Sequence, residues 1–274
     1  MIANLEFGQI GVIAGKEFWD RIRNRWVLAV AAVFTVFALV IAYLGAAQQG
    51  AVGFRGIDAT IANLVSLVIY LVPLIALILG YDAIVGERDK GSLELLLSLP
   101  ITRIELLLGK YLGLAMALAF STLAGFGLVG IVLSHKIGLA ALYQYAAFLA
   151  TALLLGWAFL SLAVMVSVLA TDRMRASGVA IAVWFFYVLI YDLLLLGLLV
   201  ATEGKWNLGF FPLLLLLSPA DIFRILNVFG FEDVRRLYGL ATVFPEALAN
   251  PWLMVGAMVL WIVAPLAFAI WRFK

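Results

Sequence analysis

Six stretches of this chain, 26–45, 64–81, 111–133, 145–170, 176–200 and 251–271, are each long and apolar enough to cross a bilayer. Nothing else in the sequence constrains the fold as strongly. A spanning helix needs about 20 mostly apolar residues, and inside hydrocarbon every backbone N–H and C=O must find its partner within the protein. The runs are continuous and do not alternate at period two, which argues against an outer-membrane barrel and predicts an all-α integral membrane protein. Composition agrees: 66% of residues are hydrophobic and 12% charged, unlike any soluble domain of ordinary make-up. No internal repeat or linker interrupts the chain, so 1–274 reads as a single transmembrane domain.

Six spans bring both termini to one side. Lys16, Arg21, Arg23, Arg25, Arg88, Lys90, Arg103, Lys110, Arg173, Arg175, Arg272 and Lys274 fall on that side, twelve of the 18 Lys and Arg, which predicts cytoplasmic termini. The N-terminus lacks a basic n-region, a short apolar core and a small-residue cleavage site, so the first span is expected to be retained. The net charge of +2 records this asymmetry and not an affinity for nucleic acid. The absence of cysteine excludes disulfides, thiolate nucleophiles and Cys-based metal sites.

Outside the spans, Phe18, Trp19, Ile22 and Trp26 share one helical face and Lys16, Asp20 and Arg23 another, which predicts an N-terminal interfacial helix lying on membrane lipid. Gly8, Gly11 and Gly15 weaken any helix further upstream. The run 208–217 is too short to span and reads as a re-entrant or interfacial segment on the outer side. Ser218, Pro219 and Asp221 then carry an N-cap, a first-turn proline and a first-turn acid, predicting a short helix over 219–229. Asp221 and Arg224 against Ile222, Phe223, Ile225 and Leu226 give it an amphipathic pattern at the outer interface.

The loop 87–110 places eight charged residues between two apolar spans. Gly91 frees the backbone, Ser92 is expected to cap a helix over 93–99, and Pro100 stops it. Glu94 and Ser98 form its only polar stripe; Leu93, Leu95, Leu96, Leu97 and Leu99 supply the rest. Either this helix packs under the bundle or part of its surface is covered by another protein. Thr102 and Glu105 then make a reciprocal capping box for the third span.

Gly86-Glu87, Gly91-Ser92-Leu93-Glu94-Leu95-Leu96, Pro100 and Gly109-Lys110 resemble the coupling loop of ABC-2-type permeases, the type V exporter-like fold. The resemblance implies that Glu87, Ser92, Leu93, Glu94, Leu95, Leu96 and Pro100 form a cytoplasmic coupling helix that docks on an ATP-binding subunit. Ser92 stands where many members have threonine. Residues 23–26, 43–47, 81–87 and 213–227 are similar to the permease family of the nitrous oxide reductase maturation system. That likeness implies a homodimer in the bacterial inner membrane, with two cytoplasmic ATPase subunits and a periplasmic copper-handling protein. Asp221, Phe223, Arg224 and Leu226 are then the expected outer docking residues.

The chain contains no G-x-x-x-x-G-K-[ST] sequence, so ATP and Mg are expected on the partner ATPase and no cofactor on this chain. His135, the only histidine, is expected in a solvated outer loop, and one imidazole without thiolates is a poor transition-metal site. Met254 and Met258 share a face, read as packing, with a soft-metal path as the alternative. Asp192 lies deep in the fifth span, where a carboxylate costs about 2.5–3.5 kcal/mol. It is either hydrogen-bonded between helices or a cavity or dimer-interface residue. Asp82 is expected as a solvated acid at a helix end. An ABC-2 exporter permease for a drug, lipid or glycan is the alternative function. An ATPase-independent membrane enzyme or channel is a third, opposed by the lack of any acid–base or nucleophile arrangement in the spans.

Overall fold

The computed structural model describes residues 6–23, 25–44, 57–137, 140–201, 211–228 and 250–273. These form helices and turns, with no strand among them. An amphipathic helix α1 (Phe7–Arg23) precedes the first span, α2 (Trp26–Leu44), and meets it at 64°. Arg25, at φ 56°, makes the corner. Span two is α3 (Ile57–Gly80), followed by the short α4 (Val85–Asp89) and α5 (Ser92–Leu97). Then come α6 (Arg103–Ile137), α7 (Ala140–Leu169), and a fifth span made of α8 (Arg173–Phe185), a π-helical turn (Phe186–Ile190) and α9 (Tyr191–Ala201). The pair α10 (Phe211–Leu216) and α11 (Pro219–Val228) precedes the last span, α12 (Pro251–Arg272). Each of the six apolar runs read from the sequence is thus a helix.

Apolar all round, α7 is the pattern of a helix surrounded by protein. It packs against α3, α6 and α12, and 72% of its most apolar window is buried. The corresponding figure for the fifth span is 11%. Ala176, Ala180 and Val188 are buried, and polar contacts also tie the span inward: Trp184 Nε1 donates to the Tyr70 carbonyl at 3.0 Å and the Tyr191 hydroxyl to the Leu214 carbonyl at 2.6 Å.

At 35 residues, α6 is about 50 Å long, more than the roughly 30 Å hydrocarbon core, so it projects beyond the bilayer. Its glycines let two neighbours approach closely. A Cβ on Gly113 would lie 2.6 Å from the Ala14 carbonyl of α1, and one on Gly125 would lie 2.5 Å from Phe34 Cβ of α2. Close small-residue packing of this kind drives helix association in lipid, where burial of apolar surface supplies no force between helices. It also corrects the expectation that Gly8, Gly11 and Gly15 discourage helix upstream. The helix begins at Phe7 because Ile10, Ala14 and Glu17 seat on α6, so tertiary contact outweighs propensity.

Helix α11 follows its predicted cap: the Ser218 hydroxyl accepts from the Asp221 amide at 3.2 Å, and Pro219 opens the helix. It does not present an outer surface. Ala220, Ile222 and Phe223 are buried and Leu226 packs on the core, with the Phe223 ring 6.1 Å from Phe148 of α7. The outer-docking expectation is therefore corrected for Asp221 and Phe223, which are buried; Arg224 and Leu226 are half-buried. An amphipathic pattern cannot distinguish a helix lying on a membrane from one folded back into the bundle, where its charged stripe finds partners among the spans.

Candidate functional site: the docking end of the bundle

The end of the bundle carrying α1, α4, α5 and the last residue of α12 is assembled from backbone turns held by buried side chains. A Cβ on Gly80 would meet Ala163 and Leu160 at 2.8 Å, so only glycine lets α3 end against α7. The chain then turns, and the amides of Ile84 and Val85 both donate to the buried Ser167 hydroxyl of α7, at 2.9 and 3.0 Å. This satisfies donors that a broken span would leave orphaned. Gly91, at φ 70°, adopts the left-handed conformation that glycine favours and takes the N-cap position of α5.

Ser92 is therefore not the cap expected from the sequence. It is the first helical residue, and its hydroxyl turns back to donate to the Glu87 carboxylate of α4. Ser98 closes α5, and Pro100 follows in exposed chain. Leu93 is buried beneath the helix, and Leu96 and Leu97 are half-buried. Glu94 is exposed, Leu95 is 72% exposed and Leu99 53%. One face of α5 packs under the bundle and the other is uncovered.

On either side of α5 lies a groove. One, of about 450 Å³, runs between α5 and α1; Val12, Ile13, Leu96 and Leu99 form its walls, with Glu17, Glu87 and Lys110 among its lining. The other, of about 370 Å³, lies toward the end of α12 and carries Arg88, Arg103 and Arg272 with Glu94.

The capping box forms as predicted. The Thr102 amide donates to Glu105 Oε2 at 2.7 Å and the Glu105 amide to the Thr102 hydroxyl at 3.2 Å. Glu105 Oε1 also accepts from the Glu6 amide at 2.8 Å. The Thr102 and Glu6 amides hold this carboxyl below its usual range. The Arg103 guanidinium sits 5.9 Å from the Phe273 ring centroid, so both ends of the described chain converge on the first turn of α6.

Behind α5 runs a chain of alternating charges that the sequence reading missed. Glu87 accepts from Lys110 Nζ of α6 at 2.9 Å, and Lys110 reaches Glu17 of α1 at 3.3 Å. Glu17 binds Arg21 at 3.1 Å, Arg21 lies 3.9 Å from Asp82, and Asp82 binds Arg173 of α8 at 2.8 Å. The Lys110 side chain is only 8% exposed. Burial raises the Glu87 carboxyl, but the Ser92 hydroxyl and Lys110 outweigh it and leave it below its usual range. Asp82, expected as a solvated acid, is instead a bridge between α1 and α8. Arg88 adds a donor to the Ala170 carbonyl at 2.8 Å, and Asp89 accepts from the Arg173 amide at 2.9 Å. The one available signal was the cation of Gly109-Lys110 placed about two turns inside a long apolar helix, where it requires an acid.

A second cluster lies in the far half of the bundle. Arg224 of α11 donates from Nη2 to Asp192 Oδ2 at 2.7 Å and from Nη1 to Asp192 Oδ1 at 3.2 Å; the same Nη1 reaches Asp221 Oδ1 at 2.6 Å. Asp192, at the start of α9, is thus hydrogen-bonded between helices by an arginine. Met254 and Met258 are buried in the core. Among the described residues no group of three His, Cys, Asp or Glu side chains is placed to hold a metal, and the His135 side chain lies outside the described residues.

The described residues form a polytopic helical bundle with an amphipathic entry helix and a short leucine-rich helix at one end. A family profile described as "ABC-2 family transporter protein" matches residues 12–274, and the chain belongs to that family. It is 44% identical over 273 residues to the "Probable ABC transporter permease protein NosY" of Stutzerimonas stutzeri, covering 96% of this chain and 98% of that protein. The protein of the same name from Pseudomonas aeruginosa is 43% identical over 266 residues, with 95% and 96% covered.

Proposed function

We propose that this permease couples ATP hydrolysis by a separate ATPase subunit to copper-site assembly in periplasmic nitrous oxide reductase. In this reading two copies pair in the bacterial inner membrane with α1, α5 and both termini in the cytoplasm. Each α5 engages an ATPase subunit that binds ATP and Mg, and a copper-handling protein works on the periplasmic side. The observation that carries the reading is α5 itself. Leu95 stands exposed beside Glu94 on a helix seated by Leu93 and flanked by two grooves, and Leu99 is exposed just past its end. Such a paired apolar surface at the aqueous end of a membrane protein is a mark of a protein partner. The likeness to NosY permeases over nearly the whole chain supports the choice of system.

The test has two arms. Leu95→Asp with Leu99→Asp leaves the protein in the membrane but releases the ATPase from detergent extracts; undiminished recovery removes the docking role. A strain lacking the chain exports folded nitrous oxide reductase without its catalytic copper–sulfur centre, read by copper spectroscopy. A fully loaded reductase from that strain would leave the drug, lipid or glycan exporter as the function.

A further inference from the structure

We propose that Lys110 is the positioning residue that fixes the docking helix α5 against α1, so that a displacement of α5 is delivered to α1 and the fifth span. The ammonium is nearly buried and sits between two carboxylates on two other elements, Glu87 of α4 at 2.9 Å and Glu17 of α1 at 3.3 Å. Beyond Glu87, the Ser92 hydroxyl ties the bridge to the first residue of α5. Beyond Glu17, Arg21, Asp82 and Arg173 carry it to the start of α8. Lys110 stands on a helix whose start is clamped by the capping box at Thr102 and Glu105, about two turns away.

The same three charges line the 450 Å³ groove between α1 and α5. Across that groove α1 and α5 are held by this bridge more than by packing, since α1 seats on α6 and α5 on α4. Without the ammonium, Glu17 and Glu87 face one another as like charges in a partly buried setting, and the groove widens.

A chain without cysteine suits a distance measurement between spin labels at Asp20→Cys on α1 and at Ser98→Cys beside α5, both exposed. With at most one labelled copy per nanodisc assembly, the otherwise unaltered chain is expected to give one narrow distance distribution. Lys110→Met widens it, and so does Glu17→Gln, which removes one arm of the bridge while leaving Lys110 paired with Glu87. Lys110→Arg restores the narrow distribution. Unchanged distributions in both Lys110→Met and Glu17→Gln overturn the positioning role.

The coupling arm rests on the docking reading above. In the assembled complex, Lys110→Met recovers as much ATPase subunit as the unsubstituted chain, while reductase copper loading falls about tenfold, the scale of effect mutations along a coupling network produce. Full copper loading with a widened distribution overturns the coupling, and loss of ATPase with an unchanged distribution makes Lys110 a docking contact instead. Failure of the docking reading shows separately, as no ATPase retained by the unsubstituted chain, and leaves the distance result standing.

Discussion

Replacing Arg224 is expected to damage this protein far more than replacing the acid that first drew attention in its fifth span. Arg224 serves two carboxylates at once, Asp192 at 2.7 Å and Asp221 at 2.6 Å. Arg224→Met leaves both acids without a cation, and Asp221, with 3% of its side chain exposed, has no route to water. Breaking a buried pair from the side that strands charge costs about 3–5 kcal/mol. Asp192→Leu strands nothing, because Arg224 keeps Asp221. It also removes from the span a group costing about 2.5–3.5 kcal/mol on insertion scales, so the loss of the pair and the gain in insertion nearly cancel. The expected order is Asp192→Leu near the parent in yield and thermal stability, and Arg224→Met well below both. The assay is the monodisperse fraction of detergent-purified protein after heating. Equal stability of Arg224→Met and Asp192→Leu would refute the charge count. Reductase copper loading is expected to fall with Asp192→Leu, which removes the tie of α9 to α11, and with Asp192→Asn, which keeps one neutral acceptor for Arg224 in place of the ion pair, even where stability holds.

Gly113→Leu must push α1 outward by about 1 Å to restore ordinary contact from 2.6 Å, at about 1–3 kcal/mol of overpacking, whereas Gly127→Leu, with nothing within 4 Å, changes thermal stability little. Ser167→Ala removes the acceptor of the Ile84 and Val85 amides and costs about 1–3 kcal/mol, read as a lower thermal midpoint and faster proteolysis at 81–91. Glu87 and Glu105 both have carboxyls below the ordinary 4.5 in the folded protein, so their contribution is present above that pH and is lost as pH falls through the depressed values. Limited proteolysis of the α5 region during acid titration should rise below about pH 4.5 in the parent, with Glu105→Gln already partly susceptible at neutral pH.

The spans were legible because run length and hydropathy decide them locally, and the caps at Thr102 and Ser218 because a cap needs only residues next to it. Ser92 failed for a related reason: a serine after a glycine is ambiguous until the glycine is seen to adopt φ 70° and take the cap position itself. The face of α11 was illegible because Phe223 is an interface residue or a core residue depending on whether α7 lies over it, which no periodicity records. The relay through Lys110 joins residues 93 positions apart, Glu17 to Lys110, and a single sequence holds no trace of such a pairing beyond the anomaly of a lysine set in an apolar helix.

The fifth span has little covering it and is held inward by the packing of Ala176, Ala180 and Val188, by a tryptophan, a tyrosine and an arginine–aspartate contact, and at its start by Arg173 on Asp82 and Asp89. In lipid, neighbouring hydrocarbon solvates a detached helix as well as another helix does, and an interhelical hydrogen bond averages about 0.6 kcal/mol. Each polar tie is thus worth little, and lateral forces in the bilayer compete with it in setting whether this span sits docked or open. The surrounding lipid then becomes a reactant: acyl chains that wet the vacated face favour the open form, and tighter lateral packing favours the closed one. Activity should consequently respond to bilayer composition through α8 and α9 before any other part of the molecule.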